Sequence, residues 1–372
     1  MLIGVDAGCL GTNNLNLEVG VYQVAYNLIK ELSVLDKKNV YLLYSFESIP
    51  ERVMSNFGSN MKNIVVGPKK GWITVGLPFQ FLKQKPDLFL ALSQVMPWYH
   101  PFKTIGFVHG LDLEKKFHPG SFASLKNRTE HLIENADVIV TTSHFLEKGI
   151  LEINPKAKIQ VLNLGSGIAT PVRQLVRNDE NVRPYFLFVG ALKRTKNIPR
   201  ILEAFDLFLK ETKSDVDLLL VGSGEWLDPG IGETIDKLKL YENVIMLKPV
   251  KQEDLVSYYH GAIALVSPSL YEGFGLTLVE AMSCGCVVIC GNKSAENEVV
   301  GSGGILVDPE DVGKIANAML KVYKNKKFAQ SLRDAGLKKS KEYSWRKFAE
   351  GVLGVVESCR GTKFKSYTMI RV

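Results

Sequence analysis

Apolar residues in this chain fall into short blocks, and the blocks alternate with segments of helical period. In the first half, strand-length runs occur at "LIGVD" (2–6), "VYLLYS" (40–45), "DLFLAL" (87–92), "TIGFV" (104–108) and "DVIVT" (137–141). Between the first two, Val21, Ala25, Leu28, Ile29, Leu32 and Leu35 recur at the spacing of one helix face. Such alternation predicts parallel sheets with crossover helices, an α/β architecture. From Gly165 to about Pro184 the pattern breaks into a polar stretch with two prolines, which reads as a linker. It then restarts with "YFLFVG" (185–190), "DLLLVG" (217–222), "NVIMLK" (243–248), "AIALVS" (262–267) and "CVVIC" (286–290), separated by helices at about 198–212, 252–260, 276–284 and 311–323.

Two α/β domains of similar size follow from this: residues 1–168, a linker at 169–184, and residues 185–344. Residues 345–372 form a C-terminal helix and basic tail, the helix expected to pack back toward the first domain. Two Rossmann-like domains leave a cleft between them. Ligands of doubly wound sheets bind outside the carboxyl ends of the strands, so the chemistry is sought there.

Composition narrows the class. The chain has 372 residues, 46% hydrophobic, enough to bury large cores, and no run approaches the roughly 20 apolar residues of a membrane span. "MLIGVDAG" lacks the regions of a signal peptide, so a cytoplasmic protein is expected. The five cysteines show no zinc-ligand spacing, and Cys286 and Cys290 read as reduced core residues. The net charge of +7, with clusters such as Lys69-Lys70, Lys115-Lys116, Lys324–Lys327 and Lys338–Lys341, suits an anionic partner or, more plainly, solvated helix faces.

The candidate chemistry centres on "YEGFGLTLVEAMSCG" (271–285). Gly273 and Gly275 open the backbone before a helix that starts near Leu276, and a helix N-terminus attracts anions. A phosphate or diphosphate fits at Gly273, Phe274, Gly275 and Leu276. Glu280 lies about 6 Å further along the helix, the reach from a diphosphate to an attached ribose. Glu272, on the other side, would meet the group beyond the diphosphate. That is the layout of a nucleoside diphosphate sugar, although a solvated helix acid and a loop charge would read the same way.

This stretch resembles the Glu, seven residues, Glu motif of retaining glycosyltransferases with two Rossmann-like domains, the GT-B fold, of family 4 (glycosyltransferases group 1). The resemblance extends through "YFLFVGALKRTKNIPRILEAF", "NKSAENEVVGSGGILVDPED" and "YSWRKFAEGVL", and more weakly through the first domain. It implies a donor-binding role for Lys193, Arg194 and Lys196 after the strand 185–190, with Lys196 on the diphosphate. It implies His109, at the end of "IGFVHG", near the donor sugar and reaction centre, and Gly20 at the opening of the first helix. His109, Glu272 and Lys196 are thus the candidate catalytic residues. Three positions depart from the family pattern: Glu18, Gly110 and Thr195 stand where relatives carry other residues.

No metal is expected. "DVD" (215–217) enters its strand at the amino end, and His100, His109 and His118, nine apart, fit no metal-binding helix. No cofactor is expected either. The function implied is retaining, metal-independent transfer from a nucleotide diphosphate sugar to a glycan or lipid-linked glycan, without nucleic acid. The alternatives are a catalytically impaired sugar-nucleotide-binding protein and a nucleotide-sugar epimerase. Finally, "KKGWITVGLPFQFLKQK" (69–85) is apolar and flanked by lysines. It reads as a buried helix or as an interfacial segment at the inner face of a membrane.

Overall fold

The computed structural model describes residues 1–11, 20–111, 122–167, 183–222, 228–248, 250 and 252–361. Glu18, Lys115-Lys116, His118, most of the expected linker and the basic tail lie outside them. The chain divides into two compact units, residues up to Leu164 together with the segment from Trp345, and residues Gly165–Ser344.

The first unit is a seven-stranded parallel sheet of β1 (Leu2–Asp6), β2 (Val40–Ser45), β3 (Met61–Val65), β4 (Leu88–Ala91), β5 (Lys103–Val108), β6 (Val138–Thr141) and β7 (Ile159–Val161). Its order is β3-β2-β1-β4-β5-β6-β7. The second unit is a six-stranded parallel sheet of β8 (Tyr185–Val189), β9 (Asp217–Val221), β10 (Val244–Leu247), β11 (Leu265–Ser267), β12 (Val288–Gly291) and β13 (Ile305–Val307). Its order is β10-β9-β8-β11-β12-β13. Both sheets run outward from a first strand and then reverse, the doubly wound arrangement whose switch points lie between β1 and β4 and between β8 and β11.

Three strands escape the sequence pattern: β3, β7 and β13, each at a sheet edge. A central parallel strand is covered on both faces and reads as an apolar run, whereas an edge strand is not. β8 and β9 are buried throughout, but β7 is nowhere fully buried. The first crossover helix, Val21–Leu35, has the predicted span and buries Ala25, Leu28, Ile29 and Leu32. The helix Trp345–Ser358 packs against it, and Arg360 at its end donates to Asn39 at 2.7 Å. Cys284, Cys286 and Cys290 are buried free thiols. Asp217 opens β9, and Arg183 reaches both Asp215 (3.0 Å) and Asp217 (3.6 Å), so the acidic pair serves a strand start.

Two glycines set the spacing at the carboxyl ends of β8 and β9. Gly190 has φ +152, and an added Cβ at Gly222 would lie 1.8 Å from the Gly190 carbonyl oxygen. The strand ends therefore approach backbone to backbone, just before the loop that carries Lys193 to Lys196. Gly222→Ala should cost about 3 kcal/mol or more, lowering the thermal midpoint of that unit by roughly 6–12 °C. Gly232→Ala, where a Cβ meets nothing within 4 Å among the described residues, is the control and should leave the midpoint unchanged or slightly raised. Equal midpoints in differential scanning calorimetry would show that the close approach has no such cost.

Candidate functional site

At the switch point of the second sheet, the loops leaving β8 and β11 are tied together. Leu270 N–H donates to the Thr195 carbonyl at 2.8 Å. Asn197 sits in the left-handed region (φ 61), and its carboxamide donates to Pro268 O at 3.0 Å and Pro309 O at 2.6 Å. It thereby anchors the end of the first loop to the turns after β11 and β13. Between these ties, the Lys196 ammonium bonds the Glu272 carboxylate directly. The pair is largely buried, the side chains 15% and 18% exposed, and Ser269 Oγ lies 3.4 Å from the same carboxylate oxygen. An ammonium has three donors, so two remain for other acceptors.

Glu272 is also fixed from behind. Its amide donates to Ser294 Oγ at 2.9 Å, and its carbonyl accepts from Ala295 N–H at 3.2 Å. Ser294 in turn donates to Glu296 Oε2. Glu296 is fully buried, and among the described residues its other carboxyl oxygen has no hydrogen-bond partner. Gly291 leaves the space beside that oxygen: a Cβ there would stand 3.0 Å from Glu296 Oε1 and 2.8 Å from Ser269 O. Burial, helped by the nearby Glu272 charge, raises the Glu296 carboxyl to about 7. Neither Ser294 nor Glu296 stands out in the sequence. An acid in the first turn of a short helix, here Glu296–Val299, is what the helix dipole alone would select.

The helix Leu276–Ser283 follows Gly275, whose φ of 89 makes the turn a glycine position. The amides of Leu276 and Thr277 precede the first intrahelical bonds, so they are donors for an anion. Gly273, Phe274 and Gly275 are buried, and Phe274 packs edge-on against Tyr343 with ring centres 5.6 Å apart. Glu280 is buried and accepts from Tyr259 Oη at 3.0 Å. Burial raises its carboxyl to about 7, against the Tyr259 hydrogen bond, which lowers it. Thr195 is buried, and Arg194, which precedes it, is exposed with Nε 3.9 Å from Asp228. Lys193 is half-buried in the same loop.

His109 and Gly20 belong to the first unit. His109 follows β5, and its Nε2 lies 2.7 Å from the Leu92 carbonyl beyond β4. A carbonyl only accepts, so Nε2 carries the proton. Burial lowers the pKa of the ring, which keeps it neutral with Nδ1 as an acceptor. Gln94, at φ 59, clamps the strand end: its Oε1 accepts from His109 N–H (2.9 Å) and Gly110 N–H (3.3 Å), and its Nε2 donates to Gly110 O (2.9 Å). Asp6 joins the two switch-point strands here, accepting from Gly8 N–H at 3.2 Å and Ser93 N–H at 3.0 Å. Gly20 caps the helix Val21–Leu35 at φ 53, with nothing among the described residues within 4 Å of an added Cβ.

Residues 173–339 match the family described as glycosyl transferases group 1. An O-antigen chain mannosyltransferase B from Escherichia coli is 29% identical over 258 residues, covering 67% of this chain and 63% of that protein. A serotype-specific mannosyltransferase WbdA, also from Escherichia coli, is 25% identical over 70% of this chain and 35% of its own length. The chain thus spans less than two thirds of these relatives. Among solved structures, a sucrose-phosphate synthase from Thermosynechococcus elongatus superposes with a TM-score of 0.79 at 19% identity, covering 96% of this chain and 98% of that one. Anabaena HepE in complex with UDP and glucose gives 0.72 at 15% identity, covering 96% and 99%. The fold is therefore the GT-B fold, and the match to the group 1 family falls within the second unit.

The two buried carboxyls make a prediction about stability. Glu280 and Glu296 ionise near 7 in the folded chain against the usual 4.5. The folded state then holds more protons than the unfolded state between those values. Their contribution is fully present below about pH 4.5 and is lost as pH rises through 7, at up to about 1.4 kcal/mol per pH unit for each group. Denaturant titrations of the ligand-free protein from pH 5 to 8 should show Glu296→Gln and Glu280→Gln gaining stability over wild type as pH rises. Parallel pH profiles for wild type and variants would mean that these carboxyls are not perturbed.

Proposed function

We propose that this chain, with its group 1 glycosyl transferase region, moves a sugar from a nucleotide diphosphate sugar to a glycan or lipid-linked glycan. The anomeric configuration is retained and no metal takes part. The carrying observation is the Lys196–Glu272 pair, held where the loops after β8 and β11 are tied, beside the start of the helix Leu276–Ser283. A fixed ammonium and a helix N-terminus, placed together, suit the charge that grows on a leaving diphosphate. The names of the Escherichia coli relatives make mannose the first sugar to try.

In this reading the diphosphate lies against the amides of Gly275, Leu276 and Thr277, and Lys196 turns its remaining donors to it. Lys193 and Arg194 add positive charge, and Thr195, between Arg194 and Lys196, is buried. Glu280 grips the ribose hydroxyls, and Glu272 meets the sugar. The acceptor oxygen attacks the anomeric carbon from the face the diphosphate leaves. The C–O bond to phosphate breaks, the C–O bond to the acceptor forms, and the acceptor's proton passes to the departing phosphate oxygen. His109, with Nδ1 as an acceptor, orients sugar or acceptor. Glu272 and Glu280 act as binding groups, so the close nucleophile and acid pair of retaining glycosidases has no counterpart in this scheme.

Calorimetry against a panel of nucleotide sugars, followed by transfer assays, tests the proposal. Glu280→Ala should weaken donor and free nucleoside diphosphate alike, roughly ten- to hundredfold, corresponding to about 1.5–3 kcal/mol. Because hydroxyl donors favour the ionised carboxylate, wild-type affinity should also rise from pH 6 to 8, and Glu280→Gln should abolish that rise. Unchanged affinity in a folded Glu280→Ala would remove the ribose role.

Lys196→Ala should lower turnover more than donor affinity, because its partner's charge grows in the transition state. EDTA should leave the wild type active. An absolute requirement for magnesium would overturn the metal-free assignment. Donor binding without transfer or hydrolysis would favour a binding protein instead.

A further inference from the structure

The segment 69–85 is split by the fold into two faces. Trp72–Gly76 is a π-helical turn, and Leu77–Lys83 continues it as an α-helix with Pro78 in its first turn. Trp72, Leu77, Pro78 and Phe81 point inward and are buried. Phe81 packs edge-on against Tyr44, Phe89 and Phe102, which holds the segment on the core. The other face carries Val75, Phe79 and Leu82, four and then three residues apart, a single stripe of a helix. They are 49%, 63% and 66% exposed.

Trp98 extends the stripe. It is 66% exposed, and its indole N–H donates to the Thr74 carbonyl at 2.8 Å. Trp72 follows β3 and Trp98 follows β4, so the patch grows from the carboxyl ends of these strands, the edge at which doubly wound sheets bind ligands.

Within residues 69–85 the charges beside the stripe are all lysines. Lys69, Lys70, Lys83 and Lys85 flank it and are exposed, and residues 69–85 contain no Asp or Glu. Lys69 also reaches Glu47 at 2.6 Å across an exposed surface. An apolar stripe with an aromatic at its rim and lysines at both ends matches the boundary of an anionic bilayer, where acyl chains meet phosphate headgroups. Among the described residues no helix is long and apolar enough to cross a membrane, so contact of this kind would be peripheral.

We propose that Val75, Phe79, Leu82 and Trp98, with their flanking lysines, dock the first unit on an anionic phospholipid surface. The proposal deepens the acceptor side of the function proposed above: an acceptor carried on a lipid would be presented at the sheet edge that takes ligands. Its test does not pass through sugar transfer.

Full-length protein is sedimented with phosphatidylcholine vesicles, with and without phosphatidylglycerol. It should pellet only with the anionic lipid, and less at high salt. Lys70→Gln, Lys83→Gln and Lys85→Gln should each lower the partition coefficient roughly fivefold. Phe79→Ser with Leu82→Ser should lower it further, with the unfolding midpoint unchanged because both sites are exposed. Vesicles should shift tryptophan emission to the blue, and Trp98→Phe should remove most of that shift.

Wild type left in the supernatant at low salt would overturn the proposal, as would pelleting that neither set of substitutions alters. A concentration-dependent dimer that Phe79→Ser and Leu82→Ser dissolve, without lipid binding, would assign the face to a second copy instead. Pelleting by a chain that binds no nucleotide sugar would sink the donor reading and leave this surface standing.

Discussion

The loop after β8 carries the cations and the loop after β11 carries the first acid, and the site exists only while the two are held together. Asn197 does most of this. Its left-handed backbone ends one loop, and its carboxamide satisfies two carbonyls from other turns. A buried carbonyl without a donor costs about 1–3 kcal/mol, so the clamp is expensive to open. The close approach of Gly190 and Gly222 fixes the same loop at its other end. What lies between, Lys193 to Lys196, has little freedom to move away from Glu272.

The resulting Lys196–Glu272 contact is a largely buried ion pair. Such pairs add little net stability, because desolvating two charges offsets most of their attraction, but removing one partner strands the other. This favours a reading in which the pair presets both groups for a ligand. A diphosphate would take the two donors that Glu272 leaves on the ammonium. Ser294, itself bonded to Glu296, holds the backbone of Glu272 in place. In the first unit Asp6 and Gln94 do comparable work around the switch between β1 and β4, fixing the strand ends beside His109.

Much of this was legible in the sequence, for reasons that can be named. Central strands such as β8 and β9 are buried on both faces and announce themselves as apolar runs, and the helix Ile198–Thr212 has the predicted span. The acids of 272 and 280 were visible because glycines and a helix start surround them. Strands β3, β7 and β13 were not visible, because β3 and β7 carry polar residues and β13 has three residues, whereas the edge strand β10 is an apolar run. Asn197, Ser294 and Tyr259 were missed because their roles come from contacts with residues distant in the chain, and Glu296 because it acts on Glu272 only through Ser294. Residues 69–85 pointed two ways, and the fold divides them: Trp72 and Phe81 are core, whereas Phe79 and Leu82 are surface.

All of this turns on whether the second unit receives a diphosphate between Lys196 and the start of the helix Leu276–Ser283. Amide NMR shifts during titration with the tightest-binding nucleoside diphosphate test it most directly. The largest changes should fall on Lys196, Gly275, Leu276 and Thr277, and they should shrink in Lys196→Met. Saturable binding whose shifts leave these amides unmoved would contradict it.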